Sequence, residues 1–421
     1  MTERFTTIEQ ASDFLLRYSP EKQAGETYTL TRMKDLMNRL GNPQNGVLAV
    51  HVAGTSGKTS TAFYIRSLLR AHGVRTGLTM SPHISSITER VQIDDGPLSD
   101  EVFIKYLNEF IDKIEQFNDL QPTYFELLTA FAYWTFHMEG VDYMVIEVGL
   151  GGLHDATNVI DSANKVSVIT PIGLDHTEVL GRTLPLIAAQ KAGIISPSSV
   201  VFTVQQEASV LSTLRQTVDR QGARLYVVNT SHRERSTVPL FQQDNFSLAR
   251  RVIEYITRRD RLAGIPANKE DELAEQTPPG RFERYNVGDK TIILDGAHNP
   301  QKVEALLESL KVRHNGPFAW LTGFISAPDE KISQCVGLLA NQTDQFIATQ
   351  FSVGQGFKSR QSVEAVWLAQ EFRRRGASVV AKTDPQDALD LLLQSKQRTI
   401  IVTGSLYLVA SLRERVRNLA T

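Results

Sequence analysis

The chain has 421 residues, 41% of them hydrophobic, enough for two or three domains with a large core. Its 45 Lys and Arg against 47 Asp and Glu leave a formal charge of −2, with no basic excess for nucleic acid and no charged tail. The single cysteine, Cys335, excludes an internal disulfide and a cysteine metal cluster; no run approaches the ~18 apolar residues of a membrane span, and Met1 to Pro20 lacks a signal-peptide core, so a cytoplasmic protein is expected.

In chain order, apolar β-rich runs alternate with helical stretches, the pattern of α/β architecture. Strands are expected at Leu48–Val52, Thr76–Thr79, Tyr143–Val148, Lys165–Ile169, Val200–Thr203 and Arg224–Val228. Helices are expected at Thr61–His72, Asp100–Phe117, Thr123–Met138 and Leu184–Ile194. Short strands separated by helices imply a mostly parallel sheet covered on both faces.

The first strand empties into Gly54-Thr55-Ser56-Gly57-Lys58-Thr59-Ser60, and a helical pattern follows. A buried strand, a glycine turn and a helix start carrying Lys and Thr form a phosphate cradle. The glycines admit an anion close to the backbone, and the helix N-terminus favours negative charge. Lys58 is placed to reach β/γ-phosphates, and the adjacent hydroxyl to meet Mg²⁺. Val52 occupies the position of the first glycine in the strict P-loop string, so this is the shorter G-T-x-G-K-[ST] form. A glycine turn with an incidental lysine is the competing reading.

Ser81, after the second strand, is an ordinary turn hydroxyl when taken alone. The strand Tyr143–Val148 carries Glu147 near its end, before Gly149, Gly151 and Gly152. Ligands of open α/β sheets gather beyond the carboxyl ends of the strands, so Glu147 is placed to meet Mg²⁺. Alternatively, its carboxylate accepts N–H bonds from the turn. Asp175-His176 follows the next strand; a neutral imidazole there suits a metal, with Asp175 orienting it. Lys191 sits in a mostly apolar helix, either snorkelling to solvent or carrying its amine, carbamylated, to the metal site.

The alternation breaks at Gln276-Thr277-Pro278-Pro279-Gly280, which reads as an extended linker. Domains are therefore expected at 1–278, a P-loop-type unit carrying the phosphate cradle, and 279–421, a smaller α/β unit. The second has strands at Thr291–Leu294, Phe318–Thr322, Gln345–Ala348, Ser378–Ala381 and Thr399–Val402. Asp295 and His298 follow its first strand, where they either meet nucleotide or a substrate carboxylate, or belong to a turn capped by Asn299. Arg281 either reaches a phosphate or makes a surface ion pair. Ser405 follows the last strand, at what is equally an ordinary helix start.

Together these motifs resemble folylpolyglutamate synthase and dihydrofolate synthase, within the ATP-dependent Mur ligase superfamily. The most specific segment is Val145 to Ile160, which reads Val-Ile-Glu-Val-Gly-Leu-Gly-Gly-Leu-His-Asp-Ala-Thr-Asn-Val-Ile. Ser81-Pro82-His83-Ile84, Glu89-Arg90, Tyr124-Phe125-Glu126, Leu174-Asp175-His176, Lys191-Ala192-Gly193 and Asp295-Gly296-Ala297-His298-Asn299-Pro300 fit as well. The resemblance implies ATP-dependent addition of L-glutamate to a folate or dihydropteroate carboxylate through an acyl phosphate, by a monomer binding neither nucleic acid nor membrane. It implies Mg²⁺ on Ser81, Glu147 and His176, and a carbamylated Lys191. ATP would be held by the Gly54–Ser60 loop with Asn245, Arg281 and Asp295. Lys58, His176 and Lys191 are the implied catalytic residues, and Phe125, Glu126, His298 and Ser405 the substrate residues. Two lobes closing on a cleft would keep water from the acyl phosphate.

Ser56 stands where the family usually has Asn, and Leu153 and Ser196 replace common basic residues. Two other readings share the motifs: a paralogous Mur-type ligase joining an amino acid to a non-folate carboxylate, and a nucleotide-binding regulator without catalysis. The set Lys58, Glu147, His176, Lys191 and Asp295 argues against the regulator.

Overall fold

Side chains that alternate between two faces build the sheets of this protein, seen here in a computed structural model. The structure describes residues 4–18, 29–117, 119–162, 164–230, 236, 238–313, 316–340, 345–352 and 361–420. The chain divides into two units, one of Met1–Arg233 with Gln243–Glu275 and one of Glu234–Gln242 with Gln276–Thr421.

Among the described residues the first unit holds one eight-stranded sheet. Its strands are β1 (Leu48–Ala53), β2 (Thr76–Thr79), β3 (Gln92–Ile93), β4 (Gly96–Pro97), β5 (Tyr143–Glu147), β6 (Val166–Ile169), β7 (Val200–Val204) and β8 (Arg224–Val228). The spatial order is β4-β3-β2-β5-β1-β6-β7-β8, parallel except for β3 and β4. Along β5, Met144 and Ile146 pack into one apolar cluster with the helices Asp100–Ile114 and Tyr124–Met138, while Tyr143 and Val145 pack into another with Lys58–Ala71. This period of two, buried on both sides, is why the strands read as continuous apolar runs.

From β1 the chain goes to β2 on one side and later to β6 on the other, so strand succession reverses at β1. Such a reversal opens a crevice at the carboxyl ends of the strands. Val52 pairs with Glu147 and Ala53 with Ile169, which brings the turns after β5, β1 and β6 to one edge.

The second unit has a six-stranded sheet among the described residues, ordered β13-β12-β11-β14-β10-β9. The strands are β9 (Arg281–Val287), β10 (Lys290–Asp295), β11 (Phe318–Thr322), β12 (Gln345–Thr349), β13 (Val379–Lys382) and β14 (Thr399–Thr403). Ile293, Trp320, Phe346 and Ile401 face one cluster; Ile292, Leu294, Leu321, Ile347, Ile400 and Val402 face the other. The five parallel strands lie at the expected places. Just past the expected linker, where no strand was expected, Arg281 opens β9, an antiparallel edge strand paired with β10.

Candidate active site

The helix after β1 begins at Lys58 rather than Thr61, capped by Gly57 at φ 87°. Lys58 and Thr59 therefore lie in its first turn, where a helix presents its amides and its positive partial charge to an anion. Gly54, at φ 153°, is pressed against β6's end: a Cβ there would stand 2.9 Å from Thr170 Cβ and 3.1 Å from its carbonyl oxygen. The amides of Thr55 and Ser56 donate to Pro171 O at 3.0 and 3.2 Å, and the Thr55 hydroxyl donates to Gly173 O at 3.1 Å. Those bonds fix the loop against the turn after β6. Lys58 Nζ donates to Gly54 O at 3.0 Å, so its ammonium is folded back over the cradle. Asn245 lies beside it, since a Cβ on Gly57 would meet its amide, and its Oδ1 accepts from Thr61 Oγ1 at 3.4 Å.

Glu147 is 3% exposed and receives Thr59 Oγ1 on one oxygen at 2.8 Å and the Ser81 amide on the other at 3.1 Å. A buried carboxylate beside a hydroxyl, at a phosphate cradle, is an oxygen donor set suited to a hard divalent cation. Among the described residues no group of three or more His, Cys, Asp and Glu gathers to form a metal cluster by itself. His176 sits in a left-handed conformation at φ 50° with its ring half exposed, 3.8 Å from Glu178. Its backbone N–H donates to Asp175 Oδ1 at 3.1 Å.

Lys191 is 4% exposed in the last turn of the helix Leu184–Ala192. Burial, reinforced by the Lys58 charge, pulls its ammonium down to about 7. Burial thus disfavours the charged form, and the side chain does not snorkel. Because the folded amine binds protons more weakly than the unfolded one, this lysine opposes folding at neutral pH, and that penalty fades as pH rises toward the unfolded value.

Phe125 lies over the turn after β5, where a Cβ on Gly149 would stand 2.5 Å from its ring tip. Glu126 closes a capping box with Thr123 and binds Arg32 Nε at 2.6 Å. Sequence reasoning passed over Asp155, a buried carboxylate that accepts from Leu150 N at 2.7 Å and from the Thr157 amide and hydroxyl. Its place within the most specific segment was the signal available for it.

In the second unit, Asp295 pairs with Arg281 across β10 and β9 and accepts from Ala297 N at 2.8 Å. Burial raises its carboxyl to about 6, with the Arg281 charge opposing the rise. His298 Nδ1 donates to Gly296 O at 2.8 Å, and Lys302 Nζ donates to its Nε2 at 3.2 Å. Asn299 caps the helix Pro300–Arg313 by accepting from Lys302 N at 3.0 Å. Ser405 caps Leu406–Leu419 by accepting from Tyr407 N, and Gly404 N donates to Ala297 O, joining the turns after β14 and β10. Asp295, Arg281, His298 and Ser405 thus share one edge of this sheet.

The profile of the Mur ligase middle domain matches residues 52–286, and that of the dihydrofolate synthetase C-terminal domain matches residues 281–415. The chain is 30% identical to dihydrofolate synthase/folylpolyglutamate synthase of Bacillus subtilis, over 92% of this chain and 95% of that protein. It is 31% identical to folylpolyglutamate synthase of Lacticaseibacillus casei, over 91% and 93%. Among solved structures it is similar to E. coli FolC in complex with DHPP and ADP, with a TM-score of 0.84, 26% identity and full coverage of both chains. It is also similar to Mycobacterium tuberculosis folylpolyglutamate synthase complexed with ADP and AMPPCP, with a TM-score of 0.81 and 27% identity over 92% and 95%.

Proposed function

This chain belongs to the dihydrofolate synthase/folylpolyglutamate synthase family of Mur ligases, and from that membership we propose how its residues add L-glutamate to a folate or dihydropteroate carboxylate at the expense of ATP. The observation that carries the reading is the convergence on Glu147: the Thr59 hydroxyl of the phosphate loop and the Ser81 amide occupy its two oxygens at one sheet edge.

A substrate carboxylate oxygen attacks the γ-phosphorus, ADP leaves, and an acyl phosphate remains. The glutamate amine then attacks the carbonyl carbon, phosphate departs with its bridging oxygen, and the amine's proton is released. Lys58 exchanges its bond to Gly54 O for phosphate oxygens and, with the helix amides, offsets charge on the moving phosphoryl group. Mg²⁺, held by Glu147 with Ser81 and His176, supplies further neutralisation of phosphate charge when bound. Asn245, beside Gly57, and Arg281 and Asp295 of the second unit contact ATP. The Lys191 amine, in the neutral form that burial favours, adds CO₂ with loss of a proton to give a carbamate. Phe125, Glu126, His298 and Ser405 bind the two substrates, and holding acyl phosphate and amine together supplies the entropic part of catalysis.

The domain roles follow: residues 1–278 carry the phosphate cradle for ATP, and residues 279–421 serve the ligation. A monomeric, cytoplasmic working state belongs to the same proposal; the single cysteine, Cys335, is buried and leaves no internal disulfide.

A coupled assay of ADP release across a substrate panel tests this reading. Turnover is expected with L-glutamate together with dihydropteroate or a reduced folate, and not with either partner alone. Turnover only with a non-folate carboxylate, or none with any pair, overturns it.

A further inference from the structure

His51 lies on β1, three positions before Gly54, and is fully buried. Its Nε2 is 2.8 Å from Thr157 Oγ1, a residue 106 positions away in the chain. Thr157 Oγ1 lies 2.5 Å from Asp155 Oδ1, and Thr157 is held further by Tyr133 Oη, which donates to its carbonyl at 2.8 Å. The Asp155 carboxylate also accepts from the Leu150 and Gly149 amides, so it ties down the start of the glycine turn after β5. The Phe125 ring rests on that turn.

Proton accounting fixes the direction of this chain. Both Asp155 oxygens accept from backbone amides, Oδ1 from Thr157 and Oδ2 from Leu150, so the Thr157 hydroxyl gives its hydrogen to Asp155 and receives one from the imidazole. His51 therefore carries its proton on Nε2, leaving Nδ1 as a buried lone pair, and among the described residues Nδ1 indeed has no hydrogen-bond partner. Burial, with the Lys165 charge nearby, keeps the ring neutral, its pKa well below the ordinary value. An orphaned buried acceptor is a penalty that an apolar residue would avoid. The imidazole's contribution at this position is its Nε2–H.

We propose that His51 is a positioning residue for the ligation: through the relay His51–Thr157–Asp155 it holds the turn after β5 against the phosphate-loop strand, setting the seat of the carboxylate substrate. The inference rests on the reading that Phe125 and this turn face that substrate. H51L and T157V break the relay with little change of volume, whereas H51Q and T157S retain the donor or the hydroxyl.

The test measures kcat, both KM values and melting temperature for these variants and for the H51L/T157V double variant. H51L and T157V are expected to raise the KM of the carboxylate substrate about tenfold, the loss of one hydrogen bond's worth of positioning, with the KM for ATP changed less than about twofold. H51Q and T157S stay near wild type, and the double variant is no worse than T157V. Unchanged carboxylate KM, parallel rises in both KM values with a lower melting temperature, or additive effects overturn the relay. If H51L does not fold, the T157V/T157S pair decides by the same criteria. Wild-type turnover in the same assay tests the underlying reading separately. Side-chain ¹⁵N NMR tests the relay without turnover: a neutral Nε2–H ring from pH 5 to 8 supports it, and an Nδ1–H tautomer or a titrating ring refutes it.

Discussion

Lys58→Ala is expected to abolish ligation, with kcat/KM falling at least ~10²–10³-fold, the range for removing one preorganised charge-stabilising group. The ammonium sits in the first turn of the helix after β1, bonded to Gly54 O four residues earlier. That bond is local and the side chain is half-buried, so its loss costs the fold only about 1 kcal/mol, a shift of roughly 2–4 °C in a domain of this size. Steady-state kinetics with a thermal melt separate the two effects. Full activity in the variant contradicts the assignment of the Gly54–Ser60 loop to phosphate.

Gly54→Ala carries the largest expected effect on stability, and Gly73→Ala is its control. Both glycines have positive φ, 153° and 79°, so both substitutions strain the backbone. A Cβ on Gly73 meets nothing within 4 Å, whereas one on Gly54 overlaps the Thr170 side chain and crowds its carbonyl. Thr170 cannot retreat easily, because its amide donates to Ala53 O at 2.8 Å and its hydroxyl to the same oxygen at 3.3 Å. Backbone strain and overlap together are expected to cost about 3 kcal/mol or more at Gly54, and about 1 kcal/mol at Gly73. Thermal melts should therefore fall by at least ~6 °C for Gly54→Ala, clearly more than for Gly73→Ala. Equal shifts contradict the close seat of the phosphate loop on β6.

The inner parallel strands were legible because burial on both faces makes each a short apolar run, as at Tyr143–Glu147 and Phe318–Thr322. β9 was not: Arg281, Glu283, Arg284 and Asn286 break up its apolar residues at a half-exposed antiparallel edge, directly after a proline-rich stretch. β3 and β4 are two residues each, too short for any periodicity. The early start of the phosphate-loop helix was hidden because Lys58, Thr59 and Ser60 carry no apolar spacing; Gly57's left-handed cap sets it. The family motifs singled out Glu147, Lys191 and Asp295, all of which are buried, and that burial explains the shifted titration of Lys191 and Asp295. The partners of Glu126 and His51 were out of reach, since Arg32 and Thr157 lie 94 and 106 positions away and only tertiary folding pairs them.

The central claim is that ATP activates the substrate carboxylate as an acyl phosphate, and oxygen tracing tests it most directly. Dihydropteroate or reduced folate labelled with ¹⁸O in both carboxylate oxygens is turned over with ATP and L-glutamate, and the released phosphate is analysed by mass spectrometry. The account predicts that each phosphate carries one ¹⁸O, because the carbon–oxygen bond breaks when glutamate displaces the phosphate. Unlabelled phosphate accompanying labelled ligation product would contradict it.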